Sequence, residues 1–227
     1  MTESLRRRSI RFLGWRARDA VLLVALVLCV QVGLVQAFHV PTGSMETTVL
    51  AGERILTEKV TLGPRTPDWI GIPFTGIGTS IPALKLPGLR SAEPGDVVVI
   101  RTPENAHIPF VKRVVAVGGQ TVEIRDKTVY VDGAPEPYAD ELVHRDPRTF
   151  PPGAVQEGIP AALGNRDNWG PYRVPDGDVF LMGDNRDESL DSRYFGPVPA
   201  DNVIGLARAV YFSWKGGPRW NRIGHPL

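Results

Sequence analysis

The chain has 227 residues, 42% hydrophobic and 22% charged, with a formal net charge of +1. These values suit a folded protein with one sizeable domain or two small lobes. The one cysteine, Cys29, excludes internal disulfides and a cysteine-rich metal site, and no nucleic-acid footprint is present.

The charge is unevenly spread. Residues 1–19 carry Arg6, Arg7, Arg8, Arg11, Arg16 and Arg18 against Glu3 and Asp19, and the remainder is net acidic. This basic cluster abuts an apolar run instead of lying on a folded face. Residues 20–38 hold no charged side chain and are broken only by Gln31, Gln36 and Gly33. As a helix at ~1.5 Å per residue the run spans about 28 Å, close to the hydrocarbon thickness of a bilayer. Arginines before it place the N-terminus in the cytoplasm and the rest of the chain outside. A cleaved signal peptide is the competing reading, since Val35-Gln36-Ala37 offers small residues at cleavage spacing. The run exceeds the usual ~7–15 residue core of such peptides, which favours an anchor.

The organisation expected is therefore a cytoplasmic basic segment (1–19), a transmembrane helix (20–38) and an extracytoplasmic domain (39–227). The fold class expected for that domain is mainly β, antiparallel and two-lobed, with long irregular loops. Its core takes in about 39–120 and 178–213, and a smaller irregular lobe about 121–177. Residues 49–59 alternate around Ala51-Gly52 and predict a strand, turn and strand. Residues 61–94 hold six prolines and read as a long loop. Their apolar residues, Trp69 and Phe74 among them, fit either a loop packed on the core or one dipping into the membrane interface. Strands are predicted at 96–101, 110–117, 121–125, 128–131, 178–182 and 203–212. Asp126-Lys127 has the spacing of a hairpin turn. Residues 134–175, rich in proline, glycine and aspartate, predict irregular structure.

Ser44, in Pro41-Thr42-Gly43-Ser44-Met45, follows the apolar run closely. A serine hydroxyl is a poor nucleophile without a base. The four histidines, His39, His107, His144 and His225, are scattered, without metal-ligand spacing or a catalytic motif. Only five of the 26 basic residues are lysine, so a lysine at a special position is informative. Lysine can lose its proton in a protein and arginine effectively cannot. On a strand over 110–117, Lys112 shares a face with Phe110 and Val114. Desolvation there lowers its pKa, and a neutral amine can take a serine proton. The alternation equally allows a lysine snorkelling from a strand edge. The third polar segment is residues 183–196, GDNRDESLDSRYFG. An EF-hand loop starting at Asp187 fails, with Ser192 at the sixth position and Val198 at the twelfth. A solvated turn held by Asp–Arg pairs is the ordinary alternative.

Together the segments PTGSMETTVLAGERILTEK, PGDVVVI, FVKRVVAVGGQTV and GDNRDESLDSRYFGPVP resemble, in order, the boxes of the bacterial type I signal peptidase family of Ser-Lys peptidases. The resemblance implies Ser44 as nucleophile and Lys112 as general base. It implies that Ser189 orients the lysine amine and that the Thr42 hydroxyl and Ser44 N–H receive the oxyanion. Asp191 and Arg193 become a pair bracing the site. Thr47 stands where the family often has proline, and one anchor where some members have two. The implied activity is removal of signal peptides from exported preproteins, with no cofactor and no metal. The implied partners are preproteins, membrane lipid and the protein-export machinery. A Ser-Lys peptidase of narrow clientele and a non-catalytic signal-peptide binder remain the alternatives.

Overall fold

The computed structural model describes residues 18–23, 33–65, 69–71, 78–80, 84–101, 109–138 and 141–227. The main feature is a seven-stranded, fully antiparallel sheet. Its strands are β1 (Val35–Val40), β2 (Glu53–Glu58), β5 (Val97–Arg101), β6 (Pro109–Val117), β11 (Asp178–Met182), β12 (Val198–Pro199) and β13 (Val203–Ser213). Their spatial order is β1-β2-β13-β5-β6-β11-β12. A second sheet has the order β10-β7-β8-β9, from β7 (Thr121–Arg125), β8 (Thr128–Val131), β9 (Ala134–Pro135) and β10 (Trp169–Arg173). This second sheet lies within residues 121–177, and its strands β9 and β10 fall in the stretch 134–175 read as irregular. A small hairpin pairs β3 (Trp69–Gly71) with β4 (Gly78–Ser80).

The large sheet is covered on both faces, which explains its near-continuous apolar runs. On β5, Val97 and Val99 enter one cluster with Val40, Met45, Ile55 and Val111. Val98 and Ile100, pointing the other way, join Val114, Leu181 and Leu206. A third cluster joins the two sheets: Trp169 of β10 packs on Phe180 of β11 with ring centroids 5.0 Å apart. Loss of any one of these large buried side chains removes ~2–5 kcal/mol. The hairpin at 121–131 forms as predicted, with Asp126 and Lys127 both at positive φ (46° and 68°), as a two-residue turn requires.

Three expectations are corrected. Residues 35–38, assigned to a transmembrane helix, belong to β1, where Val35 pairs with Glu58 and Phe38 with Ile55. A short apolar run fits a strand as well as a helix, and pairing with β2 decides for strand here. Of the apolar run, residues 20–23 are helical and residues 24–32 lie outside the described residues. No helix among the described residues is long and apolar enough to cross a membrane. Next, residues 49–52 are turn, so β2 is the only strand in 49–59 and its hairpin partner is β1. Finally, the long loop at 61–94 contains the β3–β4 hairpin, and Leu62 packs into the core while Leu84, Leu86 and Leu89 are exposed. The side chains of Trp69 and Phe74 lie outside the described residues.

Candidate active site

Ser44 lies in a run of turns between β1 and β2. Met45 and Val49, both fully buried, plug that run into the core, and Val49 N–H donates to the Met45 carbonyl at 2.8 Å. The far end of the run is clamped by the C-terminal segment. Arg222 donates to the Thr48 carbonyl at 2.7 Å and pairs with the buried carboxylate of Glu53 at 2.9 Å.

Lys112 sits in the middle of β6, opposite Val98 of β5, and is 1% exposed. Its Nζ is 2.9 Å from Ser44 Oγ and 2.9 Å from Ser189 Oγ. Thr42 Oγ1 lies 3.4 Å from Ser44 Oγ. Burial pushes the Lys112 amine from its usual range down to about 8, and the Arg193 charge pushes the same way. Asp191 and Asp184 pull it back toward the charged form without cancelling that effect. The snorkelling alternative fails, because the head group as well as the stem is buried.

Ser189 is held from behind. Asp191 and Arg193 are buried and paired twice, Nε to Oδ1 and Nη2 to Oδ2, each at 2.9 Å. Burial alone would raise the Asp191 pKa, but the Arg193 guanidinium outweighs it and holds the carboxyl ionised. Asp191 also caps the one-turn helix α1 (Ser192–Phe195) by accepting from Arg193 N–H, and accepts from Gly183 N–H at 3.2 Å. Removing one partner of such a pair would strand a buried charge, at a cost of ~3–5 kcal/mol.

The structure thus brings Thr42, Ser44, Lys112 and Ser189 together, with Asp191 and Arg193 directly behind. His39 faces solvent on β1, and His144 lies 3.7 Å from Asp187; neither bonds Ser44. His107 lies outside the described residues. Among the described residues no group of three or more His, Cys, Asp or Glu side chains could hold a metal ion.

Sequence reasoning missed three contributors. A Cβ on Gly183 would fall 2.3 Å from both Ser189 Oγ and the Ser44 carbonyl oxygen, so only glycine lets these two segments meet. Asn185 donates from its backbone N–H to the Ser44 carbonyl and from Nδ2 to the Gly43 carbonyl, each at 3.1 Å. Arg113, next to Lys112 on the opposite face of β6, forms a two-point pair with buried Asp184 at 2.9 and 2.8 Å. The polar segment 183–196 marked the neighbourhood of these residues, but nothing in sequence tells which of them touch the serine turn.

A buried amine between two hydroxyls, on a rigid β scaffold, suits one class of protein: a serine peptidase with lysine in place of histidine. Comparison with known proteins bears on that class directly. The sequence model of the family described as "Signal peptidase, peptidase S26" matches residues 15–214. Signal peptidase I of Pseudomonas aeruginosa is 34% identical, the match covering 90% of this chain and 75% of that protein. The probable signal peptidase I-1 of a Synechocystis species is 31% identical over 90% of this chain and 84% of its own. A solved signal peptidase I from Enterococcus faecalis V583 aligns at 29% identity and TM-score 0.38, covering 52% of this chain and 97% of that one. The chain belongs to the signal peptidase, peptidase S26, family and is a serine endopeptidase.

Proposed function

We propose that this endopeptidase is membrane-anchored and removes N-terminal signal peptides from exported preproteins through a Ser44–Lys112 dyad. The observation that carries the reading is the Lys112 amine, buried and 2.9 Å from both Ser44 Oγ and Ser189 Oγ. With a pKa of about 8, roughly a tenth of the amine is neutral at pH 7. At lysine's unperturbed ~10.4 the neutral fraction would be roughly 4 in 10,000. Burial therefore raises the amount of usable base by about two orders of magnitude.

Neutral Lys112 accepts the Ser44 proton while one of its own N–H groups donates to Ser189 Oγ, which aims the lone pair at Ser44. Ser44 Oγ attacks the scissile carbonyl carbon, and the oxyanion accepts from the Thr42 hydroxyl and the Ser44 N–H. The C–N bond breaks as the Lys112 ammonium returns its proton to the leaving amine. Water, deprotonated by the same amine, then attacks the acyl-enzyme and frees Ser44. A donor to the oxyanion is worth ~2.7–4 kcal/mol in such sites. Asp191 and Arg193 keep Ser189 in place.

The substrate enters as an extended strand, with small side chains one and three residues before the cut. The anchor is the apolar run ahead of β1, which now ends near Leu34. Val21, Leu22 and Leu23 leave apolar surface exposed there (67, 58 and 62%), as a lipid-facing segment does. The neighbouring arginines keep the N-terminus cytoplasmic. The catalytic domain lies outside, against membrane lipid, where preproteins leave the export machinery.

The test is cleavage of a purified preprotein by the full-length enzyme. Wild type releases the signal peptide, whereas Ser44→Ala and Lys112→Ala, folded by circular dichroism, release none. Undiminished cleavage by either variant overturns the dyad.

A further inference from the structure

Asn185 belongs to none of the roles above, yet it holds the nucleophile's backbone from both sides. It is fully buried. Its N–H donates to the Ser44 carbonyl at 3.1 Å, and its Nδ2 donates to the Gly43 carbonyl at 3.1 Å, across 142 residues of sequence. The second hydrogen on Nδ2 goes to Glu188 Oε2, also at 3.1 Å. Both neighbours are pure acceptors, so the amide is oriented with its NH2 toward the serine turn. Its Oδ1, buried, has no hydrogen-bond partner among the described residues.

The Gly43 carbonyl and the Ser44 N–H are the two ends of one peptide group. The group is planar and trans, so they point in opposite directions. Fixing the carbonyl fixes the direction of the N–H. The Gly43 carbonyl accepts a second bond, from Glu46 N–H at 3.1 Å, but that bond is local to the turn and moves with it. The Asn185 bond ties the peptide to the segment that carries Ser189. Hydrogen bonds accepted at a carbonyl also polarise the amide and strengthen its N–H as a donor, by ~10–30% per bond.

We propose that Asn185 is a positioning residue for oxyanion stabilisation: its side-chain amide aims the Ser44 N–H at the oxygen of the tetrahedral intermediate. This rests on the reading of Ser44 as nucleophile and oxyanion donor. The residue acts on the transition state and leaves both the substrate's ground state and the Lys112 amine untouched. Its loss is therefore read in kcat, without a change in KM or in the acid limb of the pH profile.

The experiment uses full-length enzyme in detergent and a fluorogenic peptide with alanine one and three residues before the cut. Asn185→Ala and Asn185→Leu, the second close to asparagine in shape, are compared with wild type per folded molecule. The expected result is a fall in kcat of about 10- to 100-fold, a KM within about twofold and an unmoved acid limb. A folded variant that keeps kcat within about twofold overturns the proposal. So does a loss carried by KM, or by displacement of the acid limb, which would place the effect on substrate binding or on Lys112. If Asn185→Ala does not fold, Asn185→Leu decides. Ser44→Ala and Lys112→Ala run in the same assay separate the two levels. Activity in either overturns the dyad itself, whereas inactivity in both, with full activity in the Asn185 variants, overturns only the positioning role.

Discussion

Lys112 is held against its own preference. Moving its pKa from 10.5 to about 8 corresponds to about 3 kcal/mol, a large fraction of the ~5–15 kcal/mol that a domain has in hand. The sign follows from proton counting. Below about pH 8 the amine is protonated in the folded and unfolded states alike, and the full burial cost is present. Between about 8 and 10.5 the folded state has released its proton and the unfolded state has not, so stability climbs with pH. Lys112→Met removes the cost but gives up two hydrogen bonds worth about 1 kcal/mol each. The inactive variant is expected to melt higher than wild type at pH 6, with the margin shrinking toward pH 10. Thermal denaturation at the two pH values checks this, and a margin that grows with pH would contradict it. The residue types at the site were legible: a serine soon after an uncharged apolar run, a rare lysine in an apolar strand and a polar segment dense in Ser, Asp and Arg. The partners of each were not. The Arg113–Asp184 pair joins residues 71 apart in sequence, and the Asn185 contact to Gly43 spans 142. No local periodicity encodes such distances.

At the scale of elements, the site is the meeting of one strand and two turns. β6 supplies a buried platform for Lys112 because it is paired with β5 on one side and β11 on the other. The turns of Ser44 and Ser189 then approach to contact across Gly183. Gly183→Ala places a methyl 2.3 Å from Ser189 Oγ and from the Ser44 carbonyl. Overpacking of this kind costs ~1–3 kcal/mol, and it forces the two hydroxyls away from the lysine. The expected outcome is a lower midpoint in urea and at least a ~10-fold fall in kcat, measured by peptide cleavage. Normal activity would mean the turns can separate without consequence. The hairpin at 121–131 was readable from sequence because period-2 alternation brackets a two-residue turn. Residues 42–49 were not readable as turns, and the β2 partner was misjudged, because β1 lies across them in sequence. Strand pairing is set by the core, through Val40, Met45 and Ile55 packing together, and the local pattern of 49–59 carries no trace of it.

At the scale of the molecule, two sheets and a tail converge on one small region. The Trp169–Phe180 contact and the buried Arg186–Glu136 pair weld the second sheet to the segment bearing Ser189. Arg222, near the C-terminus, clamps the turn bearing Ser44. On the proposed reading, the apolar run ahead of β1 anchors this assembly at the membrane. With residues 35–38 in the sheet, β1 leaves little slack between the proposed anchor and the proposed nucleophile, so the site is expected at the membrane surface. In cells, the full-length protein is expected to stay in the membrane pellet through alkaline extraction. Protease added to spheroplasts is expected to digest the domain after residue 40; protection of that domain would contradict the orientation. The proposed dyad requires a neutral amine at Lys112, and the pH dependence of kcat/KM tests that most directly. If Lys112 is the base, kcat/KM of the full-length enzyme falls tenfold per unit on the acid side, with a half-maximal point near pH 8. A rate that holds level from pH 9 down to pH 6 would contradict a lysine base.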